Sequence, residues 1–283
     1  MYYIQETDKP NKLFEFFNII KLQDDKIILP INNEIKDKNK SEKIAIKIKN
    51  ILKKANCNKI VVSKKISKEE QIMNYLYTYN LNIVDGRWLY EVISDKVLDY
   101  VINKKDLKKE EIQLSILVND LSDIMLDKIK VLADQYKKIN IVTNHIEKFK
   151  RIEEGLLNEN GVIITVTNNK RKSLIKSKII LNVDFPNELI NKYRICEDAI
   201  IVNIKHEVKI KNKRFNGICV NDYEIEFSEN ADIEYDYNKL DKYKNSHIYE
   251  AQIYKKQPIN NILIKINRDK VKITKLIANN ITF

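Results

Sequence analysis

Five short runs between residues 112 and 204 are rich in apolar residues, with apolar neighbours at adjacent positions: 112–118 (IQLSILV), 139–143 (INIVT), 162–167 (VIITVT), 179–183 (IILNV) and 199–204 (AIIVNI). A strand that shows one face to water alternates apolar with polar residues, so a run apolar on both sides must be covered on both sides. Helical spacing of apolar residues fills 122–136 and 146–158, Asn160-Gly161 closes the second helix, 173–176 is a short connection and 186–193 a short helix. Two-faced strands alternating with helices predict a parallel sheet with helices on both faces. The chain is therefore an α/β protein, and its middle third carries the clearest part of the fold.

The flanks are less regular. Residues 18–31 alternate around Asp24-Asp25 and read as a hairpin. Ser41 offers an N-cap for a helix whose apolar face is Ile44, Ile48, Ile51, Leu52 and Ala55. Residues 59–63 read as a buried strand and 67–79 as a helix with Ser67 and Glu70 as a capping box. Asp85-Gly86 is a turn, after which Trp88, Leu89, Val92, Val97, Leu98 and Val101 predict a helix, broken near Ser94-Asp95. Beyond the sheet, 206–227 reads as antiparallel β around an Asn216-Gly217 turn, 236–254 as a polar helix and 262–273 as a strand. These signals divide the chain into a smaller α/β domain with an interdomain helix (1–108), a sheet domain (109–205) and a β-rich segment packing on the others (206–283).

Charge is distributed unevenly. The net charge is +11, and residues 36–68 hold twelve Lys against Asp37 and Glu42. Residues 222–241 hold eight carboxylates against Lys239 alone. Lys43, Lys47, Lys49, Lys53 and Lys54 form the outer surface of the first long helix and are the candidate polyanion contacts. The 36–68 segment has no aromatic residue and no Arg, so it lacks stacking platforms and bidentate base readers, which argues against nucleic acid as partner. Lys, Ile, Asn and Tyr share AT-rich codons, so codon usage explains part of the lysine excess.

In open α/β sheets ligands bind beyond the carboxyl ends of the strands. Those ends carry Asn119 and Asp120, then Asn144, then Thr167 and Asn168, then Asn182 and Asp184. Amides and hydroxyls both donate and accept hydrogen bonds without charge, which suits a small polar ligand. Asn and Asp are equally at home in turns and caps, and this chain is rich in Asn throughout. The order of elements, with residues 178–186 (KIILNVDFP) looking like the fourth strand, resembles the Rossmann-like NAD(P)-binding domains of two-domain amino-acid and shikimate dehydrogenases. That resemblance implies a nicotinamide dinucleotide bound at the first strand–helix loop. The loop here is Asn119-Asp120-Leu121-Ser122-Asp123, without the glycines that let backbone N–H groups approach a pyrophosphate. The second strand ends in Asn144, not in the acidic residue expected against a ribose diol.

Other chemistry is sparse. His145, His206 and His247 are scattered and no Cys or His pair has metal-ligand spacing. Three distant cysteines, Cys57, Cys196 and Cys219, fit a reducing cytoplasm, and Arg194 stands close enough in sequence to lower the pKa of Cys196. No apolar run reaches the length of a membrane helix, the N-terminus lacks a signal-peptide pattern, and no membrane partner is expected. The expectation is a degenerate Rossmann-like protein that binds a small polar ligand or a protein partner without catalysis. An NAD(P)-dependent oxidoreductase with an atypical cofactor loop and a polyanion binder are the alternatives; cofactor and oligomeric state stay open.

Overall fold

The computed structural model describes residues 1–8, 12–17, 19–31, 37–160, 163–228, 231, 241–253, 258–278 and 281–282. The chain divides into two compact units, one of residues 1–86 and 232–257, the other of residues 87–231 and 258–283.

The first unit opens with β1 (Tyr2–Glu6), α1 (Lys12–Phe17), β2 (Lys21–Gln23), β3 (Lys26–Leu29), α2 (Lys38–Lys54), β4 (Lys59–Val62), α3 (Glu70–Thr78) and β5 (Asn82–Val84). Its sheet runs β2-β3-β1-β4-β5, parallel except for β2, which pairs antiparallel with β3 across the Asp24–Asp25 turn. One face buries Ile4, Ile27, Ile60 and Val62 beneath Ile44, Ile48 and Leu52 of α2 and Ile72 and Leu76 of α3. The cap of α2 is Asp37, not Ser41: the Asp37 carboxylate accepts from Asn39 N at 2.9 Å, and Ser41 lies buried one turn into the helix. Ser67 likewise falls in a 3₁₀ turn before α3, whose N-cap position, Glu69, makes no side-chain cap bond. Polar residues next to a helical pattern mark a start only to within a turn.

The second unit follows with α4 (Arg87–Val92), α5 (Ser94–Lys104), β6 (Gln113–Leu117), α6 (Asp123–Gln135), β7 (Lys138–Val142), α7 (Ile146–Asn160), β8 (Ile164–Thr167), α8 (Lys170–Lys176), β9 (Ile179–Asn182), α9 (Asn187–Ile190), β10 (Ile200–Asn203) and β11 (Ile218–Glu226). After α10 (Asn245–Ile253), which belongs to the first unit, come α11 (Ile259–Arg268), β12 (Lys272–Ala278) and β13 (Ile281–Thr282). The sheet order is β13-β12-β11-β10-β9-β6-β7-β8. Strands β6 to β11 are all parallel; β12 and β13 extend the sheet antiparallel. From β6 the chain steps outward one way through β7 to β8, then crosses and steps the other way through β9, β10 and β11. This is the Rossmann-like order, and its switch point lies between β6 and β9. Leu117, Val142, Ile180, Ile201 and Cys219 are buried on one face with Leu174, Phe185 and Ile190.

Two expectations fail beyond β10. Residues 206–217 form no strand, and Gly217 is not a hairpin turn. It is glycine because a Cβ there would stand 2.0 Å from the Ala199 carbonyl oxygen, where the chain enters β11 parallel to β10. Of segment 262–273 only Lys272 and Ile273 are strand, at the start of β12; before them Ile262 and Ile266 are one turn apart on the buried face of α11, while Ile264 is exposed. Isoleucines at every second position fit either period when only three are present. Of the expected 236–254 helix, 245–253 is seen as α10 and 241–244 is not helical; its remaining residues, and 229–230 and 232–240 of the acidic stretch, lie outside the described residues. No helix among the described residues is long and apolar enough to cross a membrane.

Candidate functional site

Register places the switch point. Leu117 pairs with Asn182 across β6 and β9, and Val183 N donates to Leu117 O at 2.9 Å, so Asp184 emerges beside Asn119. The Asp184 carboxylate accepts from Asn119 N at 2.9 and 3.0 Å and from Asp120 N at 2.6 Å. Successive backbone N–H groups at the end of the first strand are the groups that cradle a phosphate in dinucleotide-binding loops. Here a carboxylate of the same chain already occupies them.

The rest of the rim is cross-linked in the same way. The Asn119 side-chain oxygen accepts from Asn144 N at 2.8 Å, tying the loop after β6 to the loop after β7. Asp120 points outward and pairs with Lys148 at 3.3 Å. Asn119, Asp120, Asn144 and Asp184 thus form one hydrogen-bonded group. Thr167 and Asn168, at the end of β8, bond locally: Thr167 Oγ1 accepts from Asn169 N, and the Asn168 carbonyl from Lys170 N. Asn182 does not face a ligand. It is fully buried, accepts from Phe185 N, and donates to Phe185 O and to Asn203 Oδ1.

Asn182 begins a ladder of asparagines that spans the strand ends. Asn203 donates to Asn221 Oδ1 and to Val220 O, and Asn221 holds both the N–H and the C=O of Val208. Asn187 and Asn191 hold Lys209 and Lys211 similarly. A carboxamide carries one acceptor and two donors, so it satisfies a buried backbone that has no strand to pair with. Segment 206–217 is fixed by these side chains, and much of the Asn content near the strand ends is structural. Between this segment and β11 lies a cleft of about 630 Å³, lined among others by Asn187, Glu207, Lys209, Phe215 and Asp222.

Three further features stand at the rim without a motif to announce them. Arg87, at the start of α4, donates to the carbonyls of Ile204 at 3.0 Å and Asn221 at 2.8 Å, and pairs with Glu207 at 3.6 Å. A planar fork of donors can gather several strand-end carbonyls, which an ammonium does less well. The sequence signal was present: Arg87 is the first Arg in a lysine-rich chain. Ser122 caps α6 by accepting from Met125 N, and its hydroxyl donates to the buried Glu91 carboxylate on α4. Lys170, 7% exposed, places its ammonium 3.5 Å from the Asn168 carbonyl and 5.9 Å from the centre of the Phe185 ring. Burial pushes its pKa below the ordinary lysine range.

Cys196 is not activated as its neighbourhood in sequence suggested. Arg194 turns to Glu197, while the thiol donates to Asp198 at 2.9 Å; burial and that hydrogen bond raise its pKa. Among the described residues no group of three His, Cys, Asp or Glu side chains could hold a metal ion. Lys43, Lys47, Lys49, Lys53 and Lys54 are all exposed on α2, in the first unit.

No protein-family model matches the chain, and no curated protein matches it. Solved structures that resemble it include L-tryptophan dehydrogenase from Nostoc punctiforme, at 11% identity over 87% of this chain and 77% of that one, TM-score 0.36. Ornithine carbamoyltransferase from Pyrococcus furiosus matches at 8% identity over 75% and 73%, TM-score 0.29. Δ1-pyrroline-2-carboxylate reductase from Thermococcus litoralis, solved with NADH and L-proline, matches at 10% identity and TM-score 0.28. That match covers 43% of this chain and only 35% of the reductase.

Proposed function

We propose that this chain is a degenerate Rossmann-like protein that binds a small polar ligand without a phosphate, or a protein partner, at the strand-end rim of its second unit, and that it does so without catalysis. The observation carrying this reading is the Asp184 carboxylate seated on the N–H groups of Asn119 and Asp120. An entering pyrophosphate would have to displace Asp184 and then lie beside its negative charge and that of Asp120, a repulsion that grows where water is excluded. The same features disfavour the oxidoreductase reading. A neutral or cationic ligand meets no such barrier, and the cleft lined by Asn187, Glu207 and Asp222 offers it amide and carboxylate partners. The thiols of Cys57, Cys196 and Cys219, in no disulfide, support a reducing compartment such as the cytoplasm.

Thermal unfolding with NAD, NADP, their reduced forms, mononucleotides and phosphate-free polar metabolites tests this. A ligand at about a hundred times its Kd stabilises a protein by roughly 2.7 kcal/mol, a shift of several degrees. The dinucleotides are expected to leave Tm unchanged. A dinucleotide shift of that size would overturn the reading in favour of an oxidoreductase. For any ligand or partner that does bind, Asn168→Ala and Asp184→Ala should weaken it; unchanged binding in both would remove the rim as its site.

A further inference from the structure

Among the described residues the largest run of exposed apolar side chains lies in the first unit. Leu13, Phe16 and Phe17 of α1 are 66%, 79% and 60% exposed, and Ile19 and Leu22 just after them are 42% and 54% exposed. Scattered exposed apolar residues are ordinary, but five within ten residues of chain are not. The two phenylalanine rings pack edge to face at 5.0 Å, which holds them together as one protrusion.

This protrusion is joined to the lysine helix. Lys47 Nζ donates to the Phe17 carbonyl at 3.4 Å. On α2, Lys40, Lys43, Lys47 and Lys54 follow one another at spacings of three, four and seven, so they form a stripe along the side of the helix from which Lys47 reaches α1. Lys43, Lys47 and Lys54 are exposed, and Lys21 on β2 adds a further exposed cation beside Leu22. The buried face of α2 is used up by Ile44, Ala45, Ile48 and Leu52, so the stripe is not needed for the core of the unit.

We propose that this surface docks the protein on an anionic lipid bilayer, with Leu13, Phe16, Phe17 and Leu22 entering the headgroup–acyl boundary and the α2 lysines meeting the headgroups. The chemistry is that of interfacial anchors, in which apolar area and attraction to anionic lipid act together. Charge complementarity selects the occupant: the exposed apolar side chains of α1 stand next to the exposed lysines of α2, joined through Lys47, with Asp24 an exposed carboxylate in the turn after Leu22. Single-stranded nucleic acid fits less well. Phe16 and Phe17 are the two rings among the five exposed apolar side chains; Leu13, Ile19 and Leu22 offer no face for a base, and residues 1–86 contain no Arg to read one. A surface contact needs no spanning helix.

Co-sedimentation of the full chain with vesicles decides it. Retention is expected on phosphatidylcholine containing about 30% phosphatidylserine and not on phosphatidylcholine alone, and it should fall as salt rises. Lys43→Glu/Lys47→Glu should lower partition by more than tenfold, since each lysine near such a surface contributes roughly fivefold. Phe16→Ser/Phe17→Ser should abolish retention with the thermal transition unchanged, because both rings are exposed. Phe16→Trp supplies a readout that needs no loss of fold: its emission should shift to the blue when anionic vesicles are added, relative to the background of Trp88. No phosphatidylserine-dependent retention, or retention indifferent to the phenylalanines, would overturn the proposal. Binding of oligo-dT in place of vesicles would also overturn it and assign the surface to nucleic acid.

Discussion

Asp184 and Lys170 show how single residues set what the rim accepts. Asp184 donates nothing; it spends a full negative charge on two backbone N–H groups. Charge-assisted bonds of this kind contribute about 1.5–3 kcal/mol each before the partners are rehydrated. Asn119 and Asp120 are only partly covered, so water replaces much of that in Asp184→Ala, and a loss of about 1–2 kcal/mol in urea denaturation is expected. The vacated N–H groups should then take an anion: inorganic phosphate is expected to raise the Tm of Asp184→Ala and not that of the parent. Equal shifts in both would mean that Asp184 does not stand in an anion's place. Lys170 presents the opposite case, a largely covered side chain whose ammonium meets the Asn168 carbonyl at long range and the face of the Phe185 ring. Its pKa is lowered by burial, so the folded state holds this proton less tightly than the unfolded chain does. Between the lowered value and the ordinary lysine value near ~10.4, the unfolded state binds more protons and stability rises with pH. Below that window the penalty of the buried charge is fully present. Lys170→Met keeps the stem and removes the charge, so Tm at neutral pH should rise slightly. That advantage should shrink as the pH approaches about 10. A destabilised Met variant would show that the ammonium is satisfied where it lies.

At the level of elements, the switch point depends on the start of α6. Ser122 caps that helix and ties it to Glu91 of α4 in one hydroxyl. Ser122→Ala should cost about 1–2 kcal/mol, since it removes the cap and leaves the buried Glu91 without this donor. Ser122→Asp would keep the cap and set two carboxylates against each other, so it should be the less stable of the two; the order of their midpoints in chemical denaturation checks this. The start of α6 at residue 122 was legible in the sequence, though not Ser122's part as its cap, and so were the five runs that became β6 to β10, because short apolar-rich runs alternating with helical spacing fit a sheet covered on both faces. The Asp120-Asp184 neighbourhood was legible as a list of strand-end residues, but not as a bonded group, since register decides which strand end meets which. What stayed hidden has the same cause throughout. Gly217 serves a close approach to Ala199, the alternate isoleucines of α11 serve a helix, and Asn221 stands in for a missing strand. In each case a tertiary neighbour, absent from the local pattern, decides the role.

Across the whole molecule the chain leaves its first unit at Gly86 and returns to it after residue 231. The strands of that unit show why. Along β1, β4 and β5 successive residues alternate between two faces: Ile4, Ile60 and Ile83 look to α2 and α3, while Tyr3, Val61 and Val84 look the other way. The second face is covered by Tyr243, Ile248 and Ala251, with Tyr3 and Tyr243 edge to face at 5.5 Å. Polar bonds fix the returning segment in place: Lys64 N donates to Lys242 O at 2.8 Å, Tyr243 to Gln5 at 3.1 Å, and Lys242 pairs with Asp8. A fully buried side chain of the size of Val or Tyr contributes about 1.5–3 kcal/mol by leaving water, so uncovering Tyr3, Val61 and Val84 removes as much as a small unit can spare. Residues 1–86 alone should therefore bind a hydrophobic dye and lack a cooperative thermal transition. The same residues joined to 232–257 through a flexible linker of about 15 residues should regain the transition and lose the dye signal. If 1–86 folded cooperatively without the returning segment, the second face would have to be stable in water, and the physical reason for the chain's return would fall with it.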